Sequence, residues 1–396
     1  MKKLMVLGGS KNQLPLITKA KYLGHHVVLC DYAPDNIGKQ YSDTFYCVST
    51  LDVDAVLDVA KKESIDGIVT NSEPAMPVSA YVANALNLPA NPYESIQILC
   101  RKDLFRKFLK KNGFNYPRFI DVSNCDLARR LISGFKFPLM VKPIDSSGSR
   151  GVVRIDAIEE LRKAFEKAVS FSKTGRVMIE EYIEKAHDYM IGGDIFVMDG
   201  RVVFWGLMDS FRNKKISDFI PVGTRYPSSI TEKQFEEVDT VIHRLLSLLQ
   251  IQSGPFNVEL MFNKNGLLYL IELNPRSGGN QIPEILRLAT GVDTVEATVN
   301  SALGERFTLL SSHISKWMST YVLHSHEDGV FKQVDFSGAI TPHIMKIVMN
   351  KEAGDNIKKF DNAGELLGVM LMDFSSREEM FFYLNNMSDH VKITLA

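Results

Sequence analysis

Two acidic residues and an asparagine near the middle of the chain have the spacing of a divalent-cation site. Glu259 lies in one apolar segment and Glu272 in the next, with Asn274 just after it. The turn residues Lys264–Gly266 between the segments predict a hairpin, so Glu259 and Glu272 would lie on neighbouring antiparallel strands. Residues two apart share a strand face, which places Asn274 beside Glu272. Carboxylate and amide oxygens suit Mg²⁺, and a pair of outward-facing surface acids is the alternative.

Arg276 follows this pattern directly and adds a group that can hold an anion. A guanidinium can bind a phosphate or a carboxylate through two parallel hydrogen bonds. Ser277, Gly278 and Gly279 come next and would let the backbone approach the same centre. The residues around Arg276 therefore predict a site where a metal and an anionic substrate meet.

A glycine-rich segment between two predicted strands has the composition of a phosphate-binding loop. Ser146–Gly151 contains small residues whose backbone N–H groups can approach a phosphate closely. A P-loop would need GxxxxGK[ST] leading into a helix, whereas β-branched Val152 and Val153 follow here. We expect a hairpin that lies over a nucleotide triphosphate, with the Lys142 ammonium nearby. An ordinary polar hairpin loop is the alternative.

The segment Val177–Glu184 predicts an apolar strand that ends in carboxylates. Such a strand could line an adenine slot, where one backbone carbonyl and one backbone N–H read the purine edge. Asp188, a few residues later, could accept hydrogen bonds from the ribose hydroxyls. A strand followed by a solvated acidic turn is the alternative.

The elements that must position these residues fall into three regions. The first hundred residues alternate short apolar runs with segments of helical periodicity, which predicts parallel strands with crossover helices and an open α/β sheet. Ligands of such sheets bind outside the carboxyl ends of the strands. Short strands and hairpins follow. We predict an α/β protein with domains at 1–112, 113–304 (lobes of about 113–183 and 184–304) and 305–396.

Composition excludes several classes of function. The 396 residues are 45% hydrophobic and 23% charged, as in an ordinary globular protein. With 46 basic and 47 acidic residues the net charge is −1, so nothing in the balance favours nucleic acid or an anionic membrane. The four cysteines form no CxxC pair, which fits a reducing cytoplasm. No uncharged apolar stretch reaches about 18 residues, so no transmembrane helix is expected.

Taken together, the motifs resemble those of the ATP-grasp superfamily, in the order that superfamily has them. The chain is most similar to the carbamoyl-phosphate-synthase-like branch, especially the carboxylate–amine and amino-acid ligases. The resemblance runs from Lys3 to about Gly304 and rests on Lys102, VKP at Lys142, SSGSRG, IEEYIE, FNVEL and IELNPRSGG. The segment from Gly8 to Asp35 resembles the pre-ATP-grasp domain of that branch.

The resemblance implies a role for each matching residue. Lys142 and Arg276 would be catalytic, with Arg276 stabilising the transferring phosphoryl group or the bound carboxylate. The implied metal ligands are Glu259, Glu272 and Asn274. The implied ATP-binding residues are Lys102, Lys142, Ser147, Gly148, Ser149, Gly151, Glu180, Glu181, Ile183 and Asp188.

The same resemblance implies ATP and one or two Mg²⁺, with Mn²⁺ as a substitute. The reaction would join a small-molecule carboxylate to an amine through an acyl phosphate, releasing ADP and phosphate. Neither nucleic acid nor a membrane would be a partner, and a homodimer is expected. Residues 8–13 and Glu73 would face the non-nucleotide substrate.

Other functions remain as alternatives. A non-catalytic ATP-binding sensor would keep the lysines but lose a metal ligand. An NAD-dependent oxidoreductase is suggested only by Asp31, which lies 23 residues after Gly8 without the glycine spacing of GxGxxG. His324 and His326 are expected to be solvated surface histidines. A basic stretch is expected to be a solvated loop, with a substrate-carboxylate clamp involving Arg225 as the alternative; it contains Arg212, Lys214, Lys215 and Arg225.

Overall fold

Residues 1–100 fold into the open parallel sheet that the alternation predicts. The structure is a computed structural model that describes residues 1–146, 148–213, 219–309 and 316–396. Apolar residues on alternate sides of the first strand pack against helices on both faces of this sheet. The strands, all parallel, are β1 (Lys3–Leu7), β2 (His26–Asp31), β3 (Thr44–Cys47) and β4 (Gly67–Val69), in the order β3-β2-β1-β4.

Three helices complete this domain and two more lead out of it. Asp52 caps the second helix by accepting a hydrogen bond from the Ala55 backbone N–H. The fourth and fifth helices were not predicted, and the fifth begins at Lys102. The helices are α1 (Leu14–Tyr22), α2 (Val53–Glu63), α3 (Met76–Ala85), α4 (Tyr93–Cys100) and α5 (Lys102–Lys111).

A small antiparallel sheet follows and carries the glycine-rich loop. The loop joins the second and third of its strands, as the sequence predicts. The strands are β5 (Phe119–Val122), β6 (Leu139–Pro143), β7 (Val153–Ile155) and β8 (Val177–Glu181), in the order β5-β8-β6-β7. Two helices pack on one face and complete its core, α6 (Cys125–Leu131) and α7 (Leu161–Ser170).

A large antiparallel sheet forms the other wall of the molecule's central cleft. A long helix, α8 (Glu232–Leu248), packs on one face through Val238, Ile242 and Leu245, as its helical spacing predicts. Thr231 and Gln234 start that helix with a capping box. The first strands of this sheet are β9 (Tyr189–Met198), β10 (Arg201–Arg212), β11 (Pro221–Tyr226), β12 (Gly254–Phe262) and β13 (Leu268–Asn274).

The C-terminal residues extend the same sheet. Among the described residues, its strand order is β13-β12-β9-β10-β11-β14-β18-β16. Three strands from the predicted C-terminal domain therefore continue the second lobe, and the boundary at 304/305 stays a prediction. The remaining strands are β14 (Trp317–Leu323), β15 (Gly329–Phe336), β16 (Ile344–Met349), β17 (Asn356–Ile357), β18 (Gly368–Phe374) and β19 (Val391–Leu395).

Three further helices occur among the described residues. One of them, α10 (Thr294–Ala302), packs against α1, and its Val299 lies in the same apolar core as Leu4 of β1. The other two are α9 (Ile282–Thr290) and α11 (Arg377–Asn385). In the part of the chain that the structure describes, none of the helices is both long and apolar enough to cross a membrane.

Candidate active site

A cavity of about 360 Å³ lies between the small sheet and the large sheet and reaches the N-terminal domain. Glu73 lines it from the N-terminal domain, Lys142 from β6, Glu272 from β13 and Thr320 from β14. Most of the predicted site residues meet here. Those that line the cavity are Lys102, Lys142, Gly148, Ser149, Glu180, Glu181, Ile183, Glu259, Glu272, Asn274 and Arg276.

A few predicted residues lie elsewhere. Gly151 and the exposed Asp188 are not among the lining residues, and the ribose contact of Asp188 stays a prediction. Ser147 lies outside the described residues. Residues 8–13 do not line the cavity either, although Glu73 does.

The predicted hairpin brings the two acidic residues together. Glu259 on β12 lies opposite Glu272 on β13 in the antiparallel register, which confirms that part of the prediction. Glu272 accepts a hydrogen bond from Asn274 Nδ2 at 3.1 Å and pairs with Lys102 Nζ at 2.8 Å. Burial raises the pKa of Glu272, but Lys102 and Asn274 outweigh it and lower the pKa to about 2. Glu272 is therefore a carboxylate across the physiological range.

Lys102 joins this carboxylate to the glycine-rich loop. Its ammonium donates to the backbone carbonyl of Ser146, the first residue of the loop, at 2.9 Å. Burial lowers the pKa of Lys102, but attraction to Glu272 and Glu73 outweighs it and raises the pKa. The residue is therefore a positive charge between Glu272 and the glycine-rich loop.

Lys142 belongs to a buried cluster of charges beneath the cavity. It pairs with Glu180 on the neighbouring strand β8, and Arg106 Nε lies 3.1 Å from the other oxygen of Glu180. Arg106 is 1% exposed and also donates to the Ile271 carbonyl at 2.9 Å. Burial is the main reason that the pKa of Lys142 is lowered. The Glu180 carboxylate thus pairs with Lys142, and the place of this residue beside an adenine stays a prediction.

Arg106 is a residue that the sequence analysis missed. It lies one helical turn after Lys102 on α5, and residues four apart share a helix face. That spacing was a usable signal, because Lys102 was already predicted to face the nucleotide. The helix itself was not predicted.

The glycine-rich loop contacts the segment just before β11 and the segment just before β18. Gly148 has φ of +66°, a conformation that favours glycine, and its carbonyl accepts from the Ala363 N–H at 3.3 Å. Ser149 Oγ donates to the Phe219 carbonyl at 3.2 Å. Ala363 itself lines the cavity. No sequence motif pointed to Ala363, since its contact with the loop depends on the tertiary fold.

Arg276 links the site to the N-terminal domain. Its Nη2 lies 2.8 Å from Glu73 Oε2, and its Nη1 donates to the Ser277 carbonyl at 2.9 Å. Both side chains are largely buried, so the two residues form a buried ion pair across the cleft. Glu73 follows β4, at the carboxyl edge of the parallel sheet, where a ligand is expected.

A buried carboxylate supports the backbone that follows Arg276. Both oxygens of Asp194 accept from the Gly278 N–H, at 2.8 and 2.9 Å, and Oδ1 also accepts from Asn257 Nδ2 at 2.9 Å. Burial raises the pKa of Asp194 to about 6. Asp194 was not predicted, because an acid inside an apolar strand carries no spacing signal.

Asp31 is already occupied by the protein's own backbone. Its carboxylate accepts from the Gly9 N–H at 2.5 Å and from the Ala33 N–H at 2.8 Å. In a dehydrogenase this acid would bind the ribose of NAD. The hydrogen bonds to Gly9 and Ala33 therefore argue against the oxidoreductase alternative.

Two minor expectations from the sequence are wrong. His324 is buried and its ring stacks on Phe360 at 4.9 Å, although His326 is exposed as expected. Arg225 is buried within β11, does not line the cavity, and lies 3.7 Å from Asp209 and 4.1 Å from the Phe381 ring. It is neither in a solvated loop nor placed to clamp a carboxylate in this cavity. Arg212 of the same basic stretch is not in a solvated loop either, because it ends β10 with its side chain buried. Lys214 and Lys215 lie outside the described residues.

The donor set fits a hard divalent cation. Glu259 and Glu272 offer carboxylates and Asn274 an amide oxygen, and Mg²⁺ prefers a few such oxygens completed by water and phosphates. Among the residues that the structure describes, no three His, Cys, Asp or Glu side chains form a closed metal cluster. The site suits a metal that arrives with a nucleotide better than one held by protein alone.

Two protein families match the chain. Residues 135–284 match the ATP-grasp domain family, and residues 17–90 match the ATP-grasp N-terminal domain family. The carbamoyl phosphate synthase large chain of Thermotoga petrophila is 25% identical over 384 residues, which are 92% of this chain and 34% of that protein. The chain thus spans about a third of that relative. An uncharacterized protein of Sinorhizobium fredii, y4rH, is 25% identical over 73% of this chain and 60% of its own length.

Solved structures have the same fold. The L-amino acid ligase of Bacillus licheniformis superposes with a TM-score of 0.82 at 22% identity, over 100% of this chain and 99% of the ligase. The phosphoribosylglycinamide synthetase of Anaerococcus prevotii gives a TM-score of 0.76 at 23% identity over all of both chains. A third structure is the biotin carboxylase domain of a Hydrogenobacter thermophilus 2-oxoglutarate carboxylase, solved with MgADP, ADP and bicarbonate. It gives a TM-score of 0.76 at 17% identity, over 100% of this chain and 91% of that domain.

Proposed function

This chain is a member of the ATP-grasp superfamily, in its carbamoyl-phosphate-synthase-like branch, and on that premise we propose that it is an ATP- and Mg²⁺-dependent carboxylate–amine ligase. The observation that carries the proposal is one cavity in which two carboxylates and an amide, two lysines and Arg276 converge on a glycine-rich loop. Related proteins of the same fold include an L-amino acid ligase, which makes an amino acid the first substrate to test.

In the proposed reaction the substrate carboxylate attacks the γ-phosphorus of ATP, giving an acyl phosphate and ADP. The amine then attacks the acyl carbon and releases phosphate, so the product is an amide. No protein nucleophile is required. Glu259, Glu272 and Asn274 would hold one or two Mg²⁺, or Mn²⁺ in its place, and the metal supplies positive charge to the phosphate oxygens.

The chain's own residues supply the rest of the electrostatic stabilisation. Lys102 and Lys142 would bind phosphate oxygens, and Arg276 would hold the transferring phosphoryl group or the acid. Gly148, Ser149, Gly151 and Ser147 would cover the phosphates and exclude water from the acyl phosphate. Glu180, Glu181 and Ile183 would frame the adenine, with Asp188 at the ribose.

Partners and location follow from the same proposal. The partners would be a small carboxylate and an amine, and a homodimer is the proposed assembly. The described cysteines are all free, which favours a reducing cytoplasm.

The experiment that tests the proposal is ADP release. We expect ADP to appear only when ATP, Mg²⁺, a carboxylate and an amine are all present, and to stop when EDTA removes the metal. A protein that binds MgATP but releases no ADP with any pair from a broad panel would instead be the sensor considered above.

A further inference from the structure

Arg212 is a buried basic residue of the cavity that no motif assigns. It ends β10, its side chain is 7% exposed, and it lines the cavity. Its Nη2 lies 2.9 Å from Glu259 Oε1. Its Nη1 donates to the carbonyl and to the hydroxyl of Ser210, at 2.6 and 2.9 Å.

The two proposed metal-binding carboxylates are each paired with a base. Glu272 pairs with Lys102 and Glu259 with Arg212. Two carboxylates on facing strands would repel each other without such cations. The two bases therefore neutralise the carboxylates, as a divalent cation would. A metal that binds the carboxylates must compete with these bases.

A guanidinium displaced from Glu259 would still be charged and buried. Arginine stays protonated in proteins, and a buried charge without a partner is costly. Among the described residues, its bonds to Ser210 involve Nη1, so Nη2 is the end of the guanidinium that would pass to a new acceptor. A phosphate offers the planar fork of arginine two oxygens at once.

We propose that Arg212 is a catalytic residue that exchanges partners on loading: it neutralises Glu259 in the metal-free site and binds the γ-phosphate once a divalent cation has taken Glu259. This inference rests on the proposed function, because it takes Glu259 as a metal ligand. It gives Arg212 two effects of opposite sign. Arg212 opposes binding of the metal alone and favours a triphosphate over a diphosphate.

Binding measurements on Arg212→Gln separate these effects. Titrations would use Mn²⁺ alone, followed by paramagnetic resonance, and then Mg²⁺ with ADP or with the non-hydrolysable β,γ-imido analogue of ATP, followed by calorimetry. Without the competing cation, Mn²⁺ alone should bind about fivefold more tightly. The preference for the triphosphate analogue over ADP should fall about tenfold.

Two further variants serve as controls. Arg201→Gln alters an exposed arginine on the same strand and should leave all three affinities at wild-type values. Arg212→Lys keeps the charge and should bind Mn²⁺ alone as the wild type does, while losing part of the triphosphate preference. It also provides the test if Arg212→Gln fails to fold.

One set of results would contradict the partner exchange of Arg212, and a different result would contradict the proposed function. If Arg212→Gln keeps the wild-type triphosphate preference, or binds Mn²⁺ alone more weakly, Arg212 does not exchange partners. If the wild-type protein binds neither nucleotide with Mg²⁺, the proposed function itself fails, and the inference fails with it.

Discussion

Glu259 and Glu272 face each other across two antiparallel strands, and each is neutralised by a base from a different part of the chain. Lys102 comes from α5 and Arg212 from the end of β10. The charges of these two carboxylates are therefore balanced by the protein's own bases. If a divalent cation bound these carboxylates as proposed, Lys102 and Arg212 would become available to phosphate oxygens.

Glu272→Gln should remove the metal site while keeping the fold. The substitution is isosteric, but a neutral amide is a poorer ligand for Mg²⁺ than a carboxylate. We expect Mg²⁺-dependent ADP release to fall about a hundredfold or more, with an unchanged circular dichroism spectrum. Glu284→Gln, which alters a surface pair on α9, should release ADP as the wild type does. Normal ADP release by the Glu272 variant would contradict the metal assignment.

Lys142→Met should weaken nucleotide binding. The variant loses a cation that lines the cavity, whereas Glu180 keeps Arg106 as its partner and should stay in place. The dissociation constant for ADP should rise about tenfold, as measured by calorimetry. Lys264→Met is the control, because Lys264 forms an exposed pair with Glu184 in a surface turn. An unchanged affinity in the Lys142 variant would mean that the lysine only stabilises Glu180.

Gly278→Ala should displace the backbone after Arg276. An added Cβ would lie 2.7 Å from Asn257 Nδ2 and 2.8 Å from Asp194 Oδ1, closer than real contacts allow. We expect ADP release to fall about tenfold or more while the melting temperature drops by only a few degrees. Gly338→Ala meets nothing within 4 Å and should behave as the wild type. Full activity in the Gly278 variant would show that the backbone there is not critical.

Asp194 should make stability depend on pH. Burial raises its pKa from the ordinary 3.8 to about 6, so the folded state holds the proton more tightly than the unfolded state. The free energy of unfolding should therefore fall by at most about 3 kcal/mol as the pH rises from about 4 to about 6. Above that range this group should cause no further change. Urea unfolding of Asp194→Asn should lack this component, so its stability relative to wild type should improve from pH 5 to 7.5.

The control for that measurement is Asp58→Asn, which alters an exposed residue on α2. Its stability should change with pH as the wild type's does. If Asp194→Asn also followed the wild-type curve, Asp194 would not be the group that titrates.

The sequence predicted the structure correctly where the pattern lay within one short segment of the chain. The hairpin that pairs Glu259 with Glu272 needs only a turn and the two-residue period of a strand. The alternation of the first hundred residues likewise predicted a parallel sheet, since each crossover helix follows its strand directly.

Contacts between residues that are distant in the sequence could not be predicted from such local patterns. Arg276 meets Glu73 across 203 residues, and Ala363 reaches the glycine-rich loop only because β14 and β18 join the large sheet. The bases that neutralise the carboxylates are also distant in sequence, and charge pairing has no periodicity. The burial of His324 depends on Phe360 packing over it, which its neighbours in sequence do not indicate.

The most direct test of a ligase acting through an acyl phosphate is a trapping assay with hydroxylamine. The protein would be incubated with ATP, Mg²⁺, hydroxylamine and each member of a panel of amino acids and small carboxylates, and hydroxamates would be read by colour. Hydroxylamine replaces the unknown amine, so the acid alone is under test. We predict a hydroxamate with at least one acid, formed in step with ADP and absent from Glu272→Gln. ADP release that depends on an acid but yields no hydroxamate would contradict the acyl-phosphate route.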